Sequence, residues 1–246
     1  MHFNQEQYQY MNKSTEATNW NPAFDDKPTT DVPRIRFSQE FGSRYLKGKN
    51  LILEIGCGTG SFTKLVDRSG YFGLDLSIDA VRVAKQYCVN SQFVVASALN
   101  LPFRQAIFDL MCIWGVFEEL PSGTEQTILL ESKRTLKSSG DLLLSTYSDN
   151  LISRILDPAH LVRGVRHYNL EKFMRLISES GFLINDYTVR GGLNTAVAIF
   201  LFYFYKHVLK KKNDLIKNYI DRKSEKEIYA GDNGKVYIYM AARKIE

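Results

Sequence analysis

Three glycines at alternate positions, Gly56, Gly58 and Gly60, follow the apolar run Leu51–Ile55. A residue without Cβ takes positive φ freely and lets a ligand come against the main chain. A helical pattern starts at Phe62, and the first N–H groups of a helix have no partner within it. Loop and helix start together make a cradle for a polar or anionic part of a ligand. Asp75 ends the next apolar run, where a carboxylate, which only accepts, matches the two hydroxyls of a vicinal diol. The dinucleotide fingerprint needs a glycine where this chain has Ser61. Asp75 also argues against a 2′-phosphate. The ligand expected is an adenosine derivative without a pyrophosphate. Farther along, Glu119, Tyr147, His160 and His167 are of types that can take a proton from a reacting group. A lone histidine is more often structural, and chemistry by proximity alone, with no dedicated base, is the competing expectation.

These residues need a scaffold. Strand patterns fall at Leu51–Ile55, Tyr71–Asp75, Phe93–Ala96, Phe108–Trp114 and Asp141–Thr146. Helical patterns alternate with them at Phe62–Asp67, Ile78–Tyr87 and Thr124–Leu136, with Ser77 as N-cap of the second and Ser139-Gly140 as the stop after the third. Alternation of this kind specifies a parallel sheet with helices on both faces, and Phe108–Trp114 is as continuously apolar as a strand covered on both sides should be. A helix over Arg36–Leu46 leads in. The second half is less regular. Leu151–Tyr168 reads as an irregular connection, Leu170–Ser180 as a helix capped by Asn169 and ended by Gly181, and Phe182–Val189 as a sixth strand. Thr195–Leu209 is a strongly apolar helix, a charged helical pattern runs on to about Lys226, and Val236–Ala242 is the last strand, after the turn Asp232-Asn233-Gly234. Residues 1 to about 33 are polar and read either as a disordered arm or as a flap that folds over a ligand with Trp20 and Phe24.

The chain has 246 residues, 44% hydrophobic and 24% charged, the composition of an ordinary globular protein with a substantial core. Its net charge of +5 is concentrated: Lys206 to Glu227 holds eight Lys/Arg and four Asp/Glu. That is not the broad basic face of a nucleic-acid binder, so no nucleic-acid partner is expected. Cys57, Cys88 and Cys112 stand at unrelated spacings, which fits buried thiols in a reducing, cytoplasmic setting better than disulfides or a metal site. The first residues lack an apolar stretch of the secretory type.

Leu53-Glu54-Ile55-Gly56-Cys57-Gly58-Thr59-Gly60 resembles motif I of the class I S-adenosylmethionine-dependent methyltransferases, above all the branch with quinone-biosynthesis and other small-molecule enzymes. Gly73–Ser77, Ala98–Phe103, Phe108–Pro121 and Leu136–Leu142 resemble the later motifs in order, and five in register are specific where one is not. The resemblance implies a Rossmann-like, seven-stranded, mostly parallel sheet with helices on both faces and an antiparallel last strand. It implies S-adenosylmethionine as cofactor and no metal. Carried over residue by residue, the loop of Gly56, Cys57, Gly58 and Gly60 faces the methionine end and Glu54 lies near its amino group. Asp75 and Leu76 hold the ribose, and Ser97, Ala98 and Leu99 reach the adenine. Trp114 is a further candidate wall. Two positions depart from the family: Ser97 replaces a frequent aspartate, and Glu118-Glu119 replaces Glu-His, which removes a histidine that could act as base.

The methyl acceptor carries no such signature. Substrate selection is expected from the arm (1–35) and, within the main domain (36–246), from the segment 150–168 and a mostly helical, lid-like insertion at about 191–230. There Ala196–Tyr205 is unbroken apolar sequence, too short for a bilayer span of about 20 residues. It reads as a lid over the pocket or a homodimer interface, or else as an aromatic helix, basic at its end over 196–212, that docks on anionic lipid. Either fits an apolar or lipid-linked small-molecule acceptor. The competing readings are a nucleic-acid or protein methyltransferase and a cofactor-binding interaction protein without activity.

Overall fold

A computed structural model describes residues 27–28, 32–209 and 214–245. Trp20, Phe24 and Lys210–Lys212 lie outside them. Seven strands form one sheet: β1 (Ile52–Ile55), β2 (Tyr71–Asp75), β3 (Gln92–Val95), β4 (Phe108–Trp114), β5 (Leu136–Tyr147), β6 (Phe182–Arg190) and β7 (Tyr237–Lys244). Their spatial order is β3-β2-β1-β4-β5-β7-β6. The first five pair in parallel, and β7 enters antiparallel between β5 and β6. The chain order reverses between β1 and β4, which puts a crevice at their carboxyl ends.

Alternate side chains of each strand meet different layers. On one face Leu53, Ile55, Met111, Ile113 and Leu144 pack with α4 (Glu125–Thr135) and α7 (Leu170–Glu179) through Ile128, Leu129, Phe173 and Ile177. On the other, Ile52, Leu110, Cys112 and Leu143 meet Phe37 and Phe41 of α1 (Pro33–Ser43) and Phe62, beside α2 (Thr63–Val66). Between β2 and β3, α3 (Ile78–Tyr87) is capped as expected, Ser77 Oγ accepting the Ala80 N–H at 3.2 Å.

Several boundaries differ from the sequence patterns for identifiable reasons. α1 begins at Pro33, not Arg36, because proline at N1 has no N–H to leave orphaned. β5 starts at Leu136 instead of Asp141: Leu136 pairs with Phe108, four residues bulge out with Ser139 at φ +58°, and pairing resumes at Asp141–Leu110. Leu151–Tyr168 is not irregular throughout. It holds α5 (Leu151–Leu156) and α6 (Pro158–Arg163), capped by the Asn150 and Asp157 side chains. The apolar helix divides into α8 (Leu193–Tyr203) and a π-helical turn (Phe204–Leu209), and α9 (Asp214–Tyr229) packs back against α8. No helix among the described residues is long and apolar enough to cross a membrane.

Candidate cofactor and acceptor site

The glycine loop leaves β1 at the sheet's carboxyl edge. Gly56 and Cys57 both donate N–H to the Leu74 carbonyl, at 2.7 and 3.0 Å, and Gly60 donates to the Cys57 carbonyl at 2.9 Å. All three glycines have positive φ: +72° at Gly56, +51° at Gly58 and +86° at Gly60. Their surroundings differ. A Cβ on Gly56 would lie 2.3 Å from a Val116 methyl, and one on Gly60 would lie 3.1 Å from Cys88 Sγ, whereas one on Gly58 meets nothing within 4 Å. Gly56 and Gly60 are thus needed for packing, and Gly58 presents the open face of the loop. The Thr59 hydroxyl donates to the Lys27 carbonyl at 3.4 Å, so Lys27 lies against the loop.

Asp75 stands beside that face. Its Oδ2 accepts the Gly58 N–H at 2.8 Å and its Oδ1 the Ser77 N–H at 2.9 Å. Each carboxylate oxygen keeps a second lone pair. Burial pushes the Asp75 carboxyl above its ordinary value, and the N–H groups of Ser77, Gly58 and Leu76 offset only part of that rise. Leu76 is half-buried. After β3, buried Ser97 Oγ accepts the Leu99 N–H at 3.2 Å, which folds the Ser97-Ala98-Leu99 segment into a tight turn. That segment is braced from α4 by a residue the sequence patterns did not single out. Arg134 donates to the Leu101 and Phe103 carbonyls at 2.9 and 2.8 Å, while its partner Glu131 accepts the Leu101 N–H at 2.7 Å. Glu54 is buried, and its Oε2 accepts from Thr63 at 2.6 Å and Tyr71 at 2.9 Å. Burial pushes its carboxyl up to about 7 against the pull of those two hydroxyls. Trp114 packs on Phe62 at 5.2 Å, and its Nε1 is buried with no hydrogen-bond partner.

From Gly56 the site continues through Val116 to a second set of side chains. A Cβ on Gly115 would lie 3.2 Å from Glu118 Oε1 and 3.8 Å from an Arg34 Nη, so both flank the end of β4. The pair Glu118-Glu119 lies on a single 3₁₀ turn, Phe117–Glu119. Glu119 faces outward, and Glu118, which the motif reading passed over as a base, faces in at 4% exposure. Thr146 Oγ1 donates to Glu118 Oε2 at 3.0 Å. Burial pushes the Glu118 carboxyl up to about 7, opposed by its own backbone N–H, Arg34 and Thr146. Burial lowers the Arg34 guanidinium, but Tyr147, Tyr237 and Glu118 outweigh it and leave Arg34 above its ordinary value. Tyr147 ends β5 with its ring 5.3 Å from Tyr237, and burial holds its phenol well above the usual range, so it keeps its proton and serves as a hydrogen-bond donor, not as a base. Tyr147 packs edge-on to His167 at 5.6 Å, and His167 stacks on His160 at 4.6 Å. Three of the four candidate proton carriers therefore come together, joined by Arg34, Glu118, Asp157 and Tyr237. Asp157-Pro158 was a legible signal for this end of the site, since aspartate at an N-cap before proline marks a helix start. No group of three or more His, Cys, Asp or Glu placed to hold a metal occurs among the described residues. Cys57, Cys88 and Cys112 are free and buried.

A strand-order reversal, an open glycine loop and an acid at the end of β2 make this crevice the candidate ligand site of a Rossmann-like methyltransferase fold. Residues 52–140 match the family model described as "Methyltransferase domain". The chain is 30% identical over 129 residues to the probable tRNA methyltransferase 9B of Bos taurus, covering 52% of this chain and 27% of that protein. It is 29% identical over 97 residues to the demethylmenaquinone methyltransferase of Thermotoga maritima, covering 38% of this chain and 42% of that one. Among solved structures, a putative sarcosine dimethylglycine methyltransferase from Galdieria sulphuraria superposes with a TM-score of 0.63 at 18% identity, covering 86% of each chain. The chain thus spans half or less of the length of these curated relatives.

The residues present fit the cofactor that this family uses. The free face at Gly58 admits a ligand against the main chain, and the Asp75 lone pairs not used by Gly58 and Ser77 suit a ribose diol. The Ser97 turn lies next to it, since Ala96 donates its N–H to the Asp75 carbonyl at 3.1 Å.

Proposed function

We propose that this chain transfers the methyl group of S-adenosylmethionine to a small acceptor that is apolar or lipid-linked. The bound cofactor supplies an activated methyl group. The chain's part is to hold, orient and exclude water. The loop at Gly56–Gly60 with Asp75 would hold the cofactor's amino-acid and ribose parts, Ser97–Leu99 its base, and Trp114 with Val116 would wall the reacting end. The acceptor would enter among Arg34, Glu118, Tyr147 and His167.

The observation that carries the acceptor class is the face of α8. Of the described side chains of this apolar helix, only Thr195 and Ala196 are buried; Leu193, Phe200 and Phe202 are exposed, Phe202 by 54%, and Phe204 follows at the start of the π turn. On α5, which packs against α8, Leu151 and Ile155 are 73% and 61% exposed. An aromatic surface of this kind beside a basic stretch suits an acceptor delivered from a lipid surface. One observation favours a second reading: some curated relatives are named as tRNA methyltransferases, and the 206–227 stretch is basic. The test is incubation with methyl-labelled cofactor and separate small-molecule, RNA and protein fractions, with calorimetry of the cofactor and its demethylated product alongside. Label in the small-molecule fraction, and cofactor binding lost in Asp75→Ala, are expected. Label confined to RNA or protein overturns the acceptor class, and absence of binding overturns the cofactor assignment.

A further inference from the structure

On the acceptor side one buried ring nitrogen is left over. The His167 side chain is 2% exposed, with Nε2 2.9 Å from Asp157 Oδ2. Its Nδ1 is buried and has no hydrogen-bond partner. A carboxylate only accepts, so the neutral ring carries its proton on Nε2 and its lone pair on Nδ1. Asp157 is itself fixed: it is buried, and its Oδ1 accepts the Ala159 N–H at 3.0 Å at the start of α6. The neighbouring His160 is arranged differently. Its Nδ1 lies 2.7 Å from the Val165 carbonyl, so its proton is held by a neutral acceptor.

We propose that Asp157 and His167 form a proton-accepting pair, in which His167 Nδ1 takes the proton of an O–H or N–H group on the methyl acceptor and Asp157 holds the ring through Nε2. The proposal rests on the methyl-transfer reading above and narrows its acceptor to a hydroxyl, phenol or amine. As the acceptor's oxygen or nitrogen bonds to the methyl carbon, the carbon–sulfur electron pair stays on sulfur and the acceptor's proton passes to Nδ1. The imidazolium so formed is paired with the Asp157 carboxylate. His167 is then a catalytic residue and Asp157 a positioning residue. The groups that face this pair are Tyr147 at the end of β5, His160 on α6, Tyr237 on β7, and Asp149, which is bound to Arg154; Arg34 on α1 and Glu118 on the 3₁₀ turn act on it through Tyr147. Of the rings in this group, His167 is the one that a carboxylate orients.

Two measurements test the pair. Long-range ¹H–¹⁵N spectra of the cofactor-free protein report each ring's tautomer: His167 is expected with Nδ1 bare, and Asp157→Asn, which keeps the cap on Ala159, is expected to shift protons onto Nδ1. A wild-type His167 protonated on Nδ1 at neutral pH overturns the pair whatever the activity. The second measurement uses methyl-labelled cofactor with a small-molecule extract. His167→Gln is expected to cut labelling about 100-fold or more at neutral pH, with cofactor binding by calorimetry unchanged. The deficit should shrink as pH rises, because acceptor ionised by solvent no longer needs the base. A variant that labels at the wild-type rate, a pH-independent deficit, or a labelled methyl on carbon or sulfur overturns the proposal. Cofactor binding without any labelled product by wild type defeats the methyl-transfer reading itself, and the pair with it.

Discussion

Gly58→Ala and Gly56→Ala separate ligand approach from packing within one loop. Both residues have positive φ, +51° and +72°, where a Cβ costs about 1–2 kcal/mol. At Gly58 that is the whole cost, since the new methyl meets nothing within 4 Å. At Gly56 the methyl would come to 2.3 Å from Val116 Cγ2. Overpacking of this kind adds about 1–3 kcal/mol, which brings Gly56→Ala to about 2–5 kcal/mol. For a chain of this size each kcal/mol lowers Tm by about 2–4 °C. Urea unfolding followed by circular dichroism should therefore rank wild type, Gly58→Ala and Gly56→Ala in falling order. Calorimetry with S-adenosylmethionine should give a different order. Gly58→Ala, folded and only mildly destabilised, should bind at least about tenfold more weakly, because its methyl fills the face a ligand must use. Val116→Ala should recover stability in the Gly56 variant by opening the space its Cβ needs. Unchanged cofactor affinity in Gly58→Ala would refute the assignment of that face. Equal stability of the two alanine variants would refute the packing account.

The pH dependence of folding is expected to carry the mark of Glu54. Its carboxyl is raised from 4.5 to about 7 in the folded chain, so its contribution is full below about pH 4.5 and lost as pH rises through 7. Glu54→Gln, which still accepts from Thr63 and Tyr71, should gain on the order of 3 kcal/mol over wild type at pH 8 and little at pH 4.5, read by urea unfolding at both. Phe202→Glu should abolish flotation with anionic vesicles while leaving cofactor affinity unchanged; wild type that does not float, or a variant that floats equally, removes the lipid surface from the account of α8.

What the sequence reveals of this site follows from how each part is built. Gly56, Gly58, Gly60 and Asp75 act through backbone conformation and through strand ends, which are local properties, so their spacing could be read directly. The alternation of strands and helices through Thr146 is legible for the same reason, as is Asn169 as a cap, whose side chain accepts the Lys172 N–H at 3.1 Å. The proposed acceptor half is assembled from α1, the end of β4, the end of β5, α6 and β7. Nothing local ties Arg34 to Glu118 or Tyr147 to His167. At Glu118-Glu119 a turn of three residues per repeat decides which carboxylate faces inward, and two adjacent glutamates give no pattern to decide it by.

The anchoring of α8 bears on how the two halves work together. Glu227 of α9 caps this helix from outside it: its Oε2 accepts the Gly192 and Thr195 N–H groups at 3.0 and 2.8 Å, and its Oε1 accepts the Asn194 N–H at 3.0 Å. Burial raises the Glu227 carboxyl, but these N–H groups and the Asn194 and Thr195 side chains outweigh it and hold it below its usual value. An anion at a helix N-terminus is stabilised by the helix dipole as well. The helix is thus fixed at its first turn, where Thr195 and Ala196 are buried, while Leu193, Phe200, Phe202 and Phe204 are exposed. A lid closed on the sheet would bury its aromatic residues; here Phe200, Phe202 and Phe204 are exposed. The π turn that follows breaks the i→i+4 ladder at the point where the exposed aromatics lie, and such turns are frequent at functional sites. A helix pinned at its root and apolar at its tip can cover the acceptor crevice only by bringing those aromatics against something apolar. An acceptor that carries its own apolar chain would supply that surface and the methylated group together.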